Sequence, residues 1–296
     1  MLDYPALAAV AAVIREGTFE RAAVLLGITP SAVSQRVRGY EERLGAILII
    51  RGQPCQPTEL GRKLCAHFDR VRLLETDLAP DLTSRAGPEP SRVPLKVAVN
   101  ADSLATWFPE AARIFGHGSG IPLDLTLDDE AHTAERLRSG EVMAAVTAEA
   151  GTVQGCRTVP LGSLQYAACA SPEFVSRFFP NGTTATQLTK APCLRFDRKD
   201  GLQARWVRRK FDIELDAPTY SVASTHAFID LTIAGLAWGM QPLQLAESHL
   251  AAGRLVELDP QIRIDVELSW IVAGLPIASL DLLTKAVCAS ARSRLY

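Results

Sequence analysis

Several kinds of signature are missing from this sequence, and each absence excludes a class of chemistry. Five histidines are dispersed along the 296 residues with no base beside a nucleophile. No G-x-S-x-G, H-E-x-x-H, Walker or dinucleotide fingerprint is present, so no enzyme is expected. The six cysteines (Cys55, Cys65, Cys156, Cys169, Cys193, Cys288) form no C-x-x-C pair and have no His at ligand spacing, which excludes a zinc module and a disulfide framework. They read as reduced, mostly buried thiols, and neither a metal nor a cofactor is expected. Apolar runs fall well short of the roughly 20 residues a membrane-spanning helix needs. The start, MLDYPALAAVAAVIREG, carries an acid at Asp3 and no basic residue before its apolar stretch, so it does not read as a secretory signal. The expectation is a cytoplasmic protein with no membrane partner. Net charge is only -2, which removes any whole-molecule attraction to nucleic acid. Residues 1–75 nevertheless hold ten Lys/Arg against eight Asp/Glu, leaving room for a local basic face.

With 48% apolar and 22% charged residues, the chain has the composition of an ordered globular protein of two or three domains. Leu7, Val10, Ala11 and Ile14 follow helical spacing between a capping Asp3 and Gly17. Thr18 opens a second, short helix, FERAAVLL, ending at Gly27. Thr29 opens a third, with Pro30 in the first turn, where its missing N–H costs nothing. Three short helices in 45 residues form a plausible helix-turn-helix. AILII and the turn-rich RGQPCQP then read as a small wing. In such a unit the second helix of the motif enters the major groove, which places Thr29, Ser31, Ser34, Gln35 and Arg38 toward DNA. Gln pairs with adenine, Arg with guanine, and Ser with base edges or phosphates. Val33 and Val37 face back onto the first two helices, and Glu41 and Glu42 sit at the far end.

From Thr58 to about Leu82 the apolar residues Leu60, Leu64, Val71, Leu74 and Leu78, with His67 filling the gap, repeat as a heptad seam that suits a partner helix. Residues 83–94, TSRAGPEPSRVP, read as a linker. Beyond it, LKVAV, LDLTL, VMAAV, LQYAACA, CLRF, TYSVA, LAWGM and ELSWIVAG are strand candidates separated mostly by helical patterns. An open α/β sheet binds ligands beyond the carboxyl ends of its strands.

The run AAVLLGITPSAVSQRVRGYEERLGAILIIR resembles the signature of LysR-type transcriptional regulators, with Ala22, Leu25, Ser31, Ala32, Val33, Ser34, Val37, Glu41, Leu44, Gly45, Leu48 and Arg51 in register. Pro30 stands where Gln is usual, and Tyr40 where Leu is usual. PTELG, VNADSLATWFP, DDEAHTAERLRSGEV, FPNG and RFDRKDGLQ extend the likeness over almost the whole chain to the ArgP/LysG branch, with NADSLATW the most specific part. That resemblance implies a regulator that senses lysine or arginine and activates transcription of a basic amino-acid exporter gene. Its implied partners are double-stranded promoter DNA, RNA polymerase and further copies of itself, as a homodimer and a tetramer.

The fold class expected is α+β and α/β: a winged helix-turn-helix at 1–57, a dimerisation helix at 58–84, and a two-lobed α/β effector domain like that of periplasmic binding proteins. Its first lobe takes 92–161 plus 268–296 and its second 162–267. The expected effector site starts at Asn100, Asp102 and Ser103, where a helix start after LKVAV would hold a ligand carboxylate beside the Ser103 hydroxyl. Asp128, Asp129 and Glu130 after LDLTL would neutralise an ammonium. Thr147, Asp197, Ser224, Thr225 and His226 complete the set, and L-lysine or L-arginine fits it best. His226 lies in STHAF, where the branch usually has Glu, and a His suits a cationic side chain less well. A solute-binding protein would share the two-lobed fold, but it would need an export signal and would not carry the N-terminal helices.

Overall fold

The structure, a computed structural model, describes residues 2–82, 93–127, 133–148 and 151–296. Its N-terminal unit comprises α1 (Tyr4–Glu16), α2 (Phe19–Leu26), α3 (Pro30–Leu44), the paired strands β1 (Ile49–Ile50) and β2 (Gln56–Pro57), and the start of α4 (Glu59–Leu82). The three helix starts are capped as their sequences require. Asp3, Thr18 and Thr29 accept the backbone N–H groups of Ala6, Arg21 and Ala32. α3 ends at Gly45, whose φ of 65° is a conformation an L side chain rarely adopts. Leu7, Val10, Val13, Ala22, Val33, Val37 and Leu48 form the buried core of the unit. Each Cβ-bearing face was set by helical periodicity, so this part of the sequence reads almost directly into structure.

The C-terminal part continues with β3 (Leu95–Val99), α5 (Ala101–Ala105), α6 (Phe108–Ser119), β4 (Leu123–Leu127), α7 (Thr133–Ser139), β5 (Ala144–Thr147) and β6 (Cys156–Ala170). It proceeds through α8 (Pro172–Phe178), α9 (Ala185–Leu188), β7 (Cys193–Arg195), α10 (Leu202–Phe211), β8 (Thr219–Ser221), α11 (Thr225–Ile233), β9 (Gly239–Pro242) and α12 (Leu243–Ala251). It closes with β10 (Val256–Glu257), β11 (Arg263–Ala273) and α13 (Ala278–Arg294). One seven-stranded sheet runs β10-β6-β11-β5-β3-β4, with β9 also on β6. β3 pairs in parallel with β4 and β5, and β11 pairs antiparallel with β5 and β6. The long strands β6 and β11 therefore serve both lobes. Their register shifts between Leu268 and Ser269, opposite Gly162 and Pro160, leaving Leu161 as an extra residue. The division expected at 161/162 falls at this bulge. Trp107, Trp206, Trp238 and Trp270 are all fully buried in a core that spans both lobes.

β6 departs from expectation. The sequence predicts only LQYAACA as strand, yet the strand starts at Cys156 and absorbs Pro160 and Gly162 at the bulge. α4 matches the helix expected from Thr58 to about Leu82.

Candidate functional site

Two surfaces are candidates for function, one on α3 and one around the start of α5. On α3, Val33, Val37 and Tyr40 recur at helical spacing and are buried against the N-terminal core, so residues one or two positions from the valines turn outward. Ser31, Gln35 and Arg38 are exposed and Ser34 is half-buried, forming one face along the helix. Thr29 Oγ1 accepts from Ala32 N at 3.2 Å, so its hydroxyl is committed to the cap. Arg38 lies 3.7 Å from Glu42 in an exposed i,i+4 pair, which leaves it close to freely mobile. Arg51 is exposed, its guanidinium 5.3 Å over the Phe19 ring at the start of α2. Glu41 has a role that the sequence did not disclose: its Oε1 accepts from Leu48 N at 2.7 Å and Ile49 N at 3.2 Å, pinning the turn into the wing. It is a structural acid, not merely a tolerated one.

The effector-side residues sort differently. Asn100 caps α5 by accepting from Ser103 N at 3.0 Å. α5 is five residues long and that N–H is taken, so the helix start expected to bind a carboxylate is already occupied by Asn100. Ser103 is fully buried and its Oγ has no hydrogen-bond partner among the described residues. Thr147, 2% exposed, follows Val146, which pairs with Val99, so the parallel register sets Thr147 beside Asn100. Asp128, Asp129 and Glu130 lie outside the described residues.

Asp102 is the centre of the arrangement. Its Oδ1 accepts from Thr225 Oγ1 at 2.7 Å and its Oδ2 from the Tyr166 hydroxyl at 2.5 Å. Burial pushes its pKa above the ordinary carboxylate value, the two hydrogen bonds pull it back in part, and the negative charge of Asp200 raises it further. Thr225 comes from α11 and is itself 6% exposed, while Ser224 is exposed and accepts from Ala227 N at 3.4 Å as the helix cap. His226 is exposed on the first turn of α11. Asp197 is exposed and its Oδ1 accepts from Lys199 N and Asp200 N, so it shapes its own loop. The carboxylate close enough to act on Asp102 is Asp200, held by Phe196 N, Leu202 N and Gln203 Nε2.

Of the residues expected at the effector site, the structure thus joins Asp102 directly to Thr225, puts Asn100 and Ser103 at the start of the same short helix as Asp102, and sets Thr147 beside Asn100. Tyr166 and Asp200 were not anticipated. Tyr166 lies inside a strand pattern 64 positions from Asp102, and no local signal marks it. Asp200 lies in RFDRKDGLQ three residues beyond Asp197, the acid nearer the strand end. Among the described residues no group of three or more His, Cys, Asp or Glu is placed to hold a metal ion, and no helix is long and apolar enough to cross a membrane.

The heptad residues are divided between surfaces. Leu60 is 41% exposed, whereas Leu64 packs against the N-terminal core and Leu74 against the effector-domain core. Val71 is half-buried, and the Leu78 side chain lies outside the described residues.

Comparison with known proteins places both parts of the chain in one family. Residues 5–62 match the model of bacterial regulatory helix-turn-helix proteins of the lysR family, and residues 88–274 match the LysR substrate binding domain. LysG of Mycobacterium bovis is 42% identical over 269 residues, covering 91% of this chain and 87% of that protein. ArgP of Pseudomonas fluorescens is 42% identical over 273 residues, covering 91% and 90%. Among solved structures, ArgP from Mycobacterium tuberculosis superposes with a TM-score of 0.80 at 39% identity, covering 100% of this chain and 99% of that one. Full-length LysG from Corynebacterium glutamicum, solved with bound effector Arg, gives 0.69 at 36% identity, covering 99% of each. The helix-turn-helix, the two-lobed domain behind it and relatives alike over nine-tenths of the sequence lead to one conclusion: the chain belongs to the LysR family, as a transcriptional regulator of the LysG/ArgP type.

Proposed function

We propose that this regulator senses a basic amino acid, L-arginine or L-lysine, in the cleft between its lobes, and activates transcription of an amino-acid exporter gene. The observation that carries the reading is Asp102. It is a half-buried carboxylate, fixed by Tyr166 from β6 and Thr225 from α11, with Asp200 close enough to raise its pKa. A site with its ionised form disfavoured gains most from a ligand that brings a positive charge. A guanidinium or ammonium brings that charge, and the effector of the LysG relative is Arg. Ser103 and Thr147 supply hydroxyls beside it for the zwitterionic end, and Asp128, Asp129 and Glu130 supply further acids directly after β4.

In this reading residues 1–57 bind promoter DNA through Ser31, Ser34, Gln35, Arg38 and Arg51, and residues 58–84 join two copies. The lobes at 92–161 plus 268–296 and at 162–267 hold the effector. Tetramers and contact with RNA polymerase in the cytoplasm complete the scheme. Thermal-shift measurements across the proteinogenic amino acids test it, because a ligand that binds only the folded state adds about 2.7 kcal/mol of stability at a hundredfold excess over Kd. L-arginine or L-lysine should give the largest shift. A second reading, the same regulator tuned to another effector, is favoured by His226 in the place of the usual Glu; it predicts the largest shift with a neutral or acidic amino acid.

A further inference from the structure

We infer that Asp69 is the positioning residue that sets the DNA-binding unit against the effector domain, by joining Arg15 of α1 to Lys96 of β3. Asp69 is only 8% exposed and its two oxygens are divided between the two parts of the molecule. Oδ1 accepts from Arg15 Nη2 at 3.2 Å and Oδ2 from Lys96 Nζ at 2.8 Å. Its place on α4 explains why. On one side of it Leu64, Cys65 and Phe68 pack on the N-terminal core; on the other Leu73 and Leu74 pack on the effector-domain core. Asp69 therefore marks the changeover of α4 from one body to the other. Burial, and next the Asp69 charge, push the neighbouring Cys65 thiol up to about 12.

Three features make the junction stiff. The two cations are the partners that make a buried carboxylate tolerable, and losing either leaves it undercompensated. Lys96 lies on a strand hydrogen-bonded on both edges, and its own carbonyl accepts from Met143 N at 2.8 Å. The next residue on α4, Arg70, lays its guanidinium against Gly140, where φ is 75° and an added Cβ would fall 1.9 Å from Nη2. β3 runs from Lys96 through buried Val97, Ala98 and Val99 to Asn100, the cap of the short helix that carries Asp102. Asp69 thus ties the DNA-binding unit to the very strand that ends in the effector site. The link to effector response rests on the proposed function; the positioning role does not.

The test uses the full chain with spin labels attached through genetically encoded keto residues at the exposed positions Val24 and Asp124, diluted with unlabelled chain. Pulsed dipolar spectroscopy then reads the distance between the two bodies. A narrow distribution is expected for the unchanged chain and for Asp69→Glu. Asp69→Asn, Lys96→Met and Arg15→Met should broaden it while circular dichroism stays unchanged. Should Asp69→Asn compromise folding, the two cation variants, each leaving the carboxylate in place, decide the matter. Distributions as narrow in Lys96→Met and Arg15→Met as in the unchanged chain would overturn the inference. In parallel, operator affinity is measured with and without L-arginine. An arginine-induced change of about fivefold or more should shrink below about twofold in Lys96→Met, with calorimetric arginine binding retained. No arginine binding by the unchanged chain would instead contradict the proposed effector, and the distance measurement would still judge Asp69.

Discussion

Thr225 and Asp102 stand 123 positions apart in the sequence and share a 2.7 Å hydrogen bond that joins the start of α11 to α5. The bond crosses from one lobe to the other, so the pair reports on how the lobes sit, and Tyr166 from the strand between them holds the second carboxylate oxygen. Removing charge from such a carboxylate, while keeping its shape, separates its cost to folding from its use in binding.

Asp102→Asn should therefore raise thermal stability in the absence of effector and weaken binding of a cationic ligand. The native pKa is raised, so the native state holds the proton more tightly than the unfolded chain does. The stability this provides is complete below the unfolded pKa and is lost as pH rises through the native one. Once ionised, the side chain is a liability that Asn removes, since its amide also pairs with hydroxyls. A rise in Tm of a few degrees, corresponding to about 1 kcal/mol, is expected by calorimetry at pH 7.5, shrinking toward acidic pH.

Arginine affinity should itself fall as pH drops through the raised pKa of Asp102, because only the ionised carboxylate attracts the cation. Titration calorimetry in buffers of differing ionisation enthalpy should also register proton release on binding near that pKa. Affinity independent of pH over the acidic range would assign the cation to other acids.

Ser34→Ala and Arg38→Ala should weaken specific DNA binding and leave the fold intact. The Arg38–Glu42 pair is exposed and contributes little to stability, whereas a good bidentate base contact is worth about 1 to 3 kcal/mol. Gel-shift titrations against cognate and scrambled operators measure the loss, and unchanged discrimination in both variants would remove α3 from recognition.

Glu41→Ala should destabilise the N-terminal unit by about 1.5 to 3 kcal/mol, the usual value of hydrogen bonds to a charged group, because Leu48 N and Ile49 N both lose their acceptor. Denaturant melts of the full chain provide the number; a variant as stable as the original would show that the wing needs no such pin.

Leu60→Asp is the cleanest test of α4 as a dimer contact. Leu60 is exposed within the chain, while Leu64 and Leu74 are packed on the two cores, so an Asp at either would unsettle folding as well. Sedimentation should show a shift toward monomer with the melting curve little changed.

The N-terminal unit was legible because its information is local. Thr18, Thr29, Pro30, Gly17, Gly27 and Gly45 act on their own turns, and the spacing of Val33 and Val37 decides which face of α3 is left for DNA. The strand end at Val99 and the cap at Asn100 were legible for the same reason. The rest of the proposed effector site was not, because it is made by residues that meet only after folding. Tyr166 looks like any strand aromatic, and Asp200 like any loop acid, until the lobes bring them near Asp102. Asp197 misled in the opposite direction: an acid after a strand end signals a ligand site, but this one spends its carboxylate on the turn beneath it. His226 is on the first turn of α11, one residue beyond the side chain that contacts Asp102.

The most direct measurement is titration calorimetry of the full chain with L-arginine, L-lysine and L-citrulline, the last nearly isosteric with arginine but uncharged. Arginine or lysine should bind at least about tenfold more tightly than citrulline, about 1.4 kcal/mol, and the preference should vanish in Asp102→Asn. Equal binding of citrulline, or no binding of either cationic amino acid, would contradict the assignment of Asp102 as the carboxylate that receives the effector's charge.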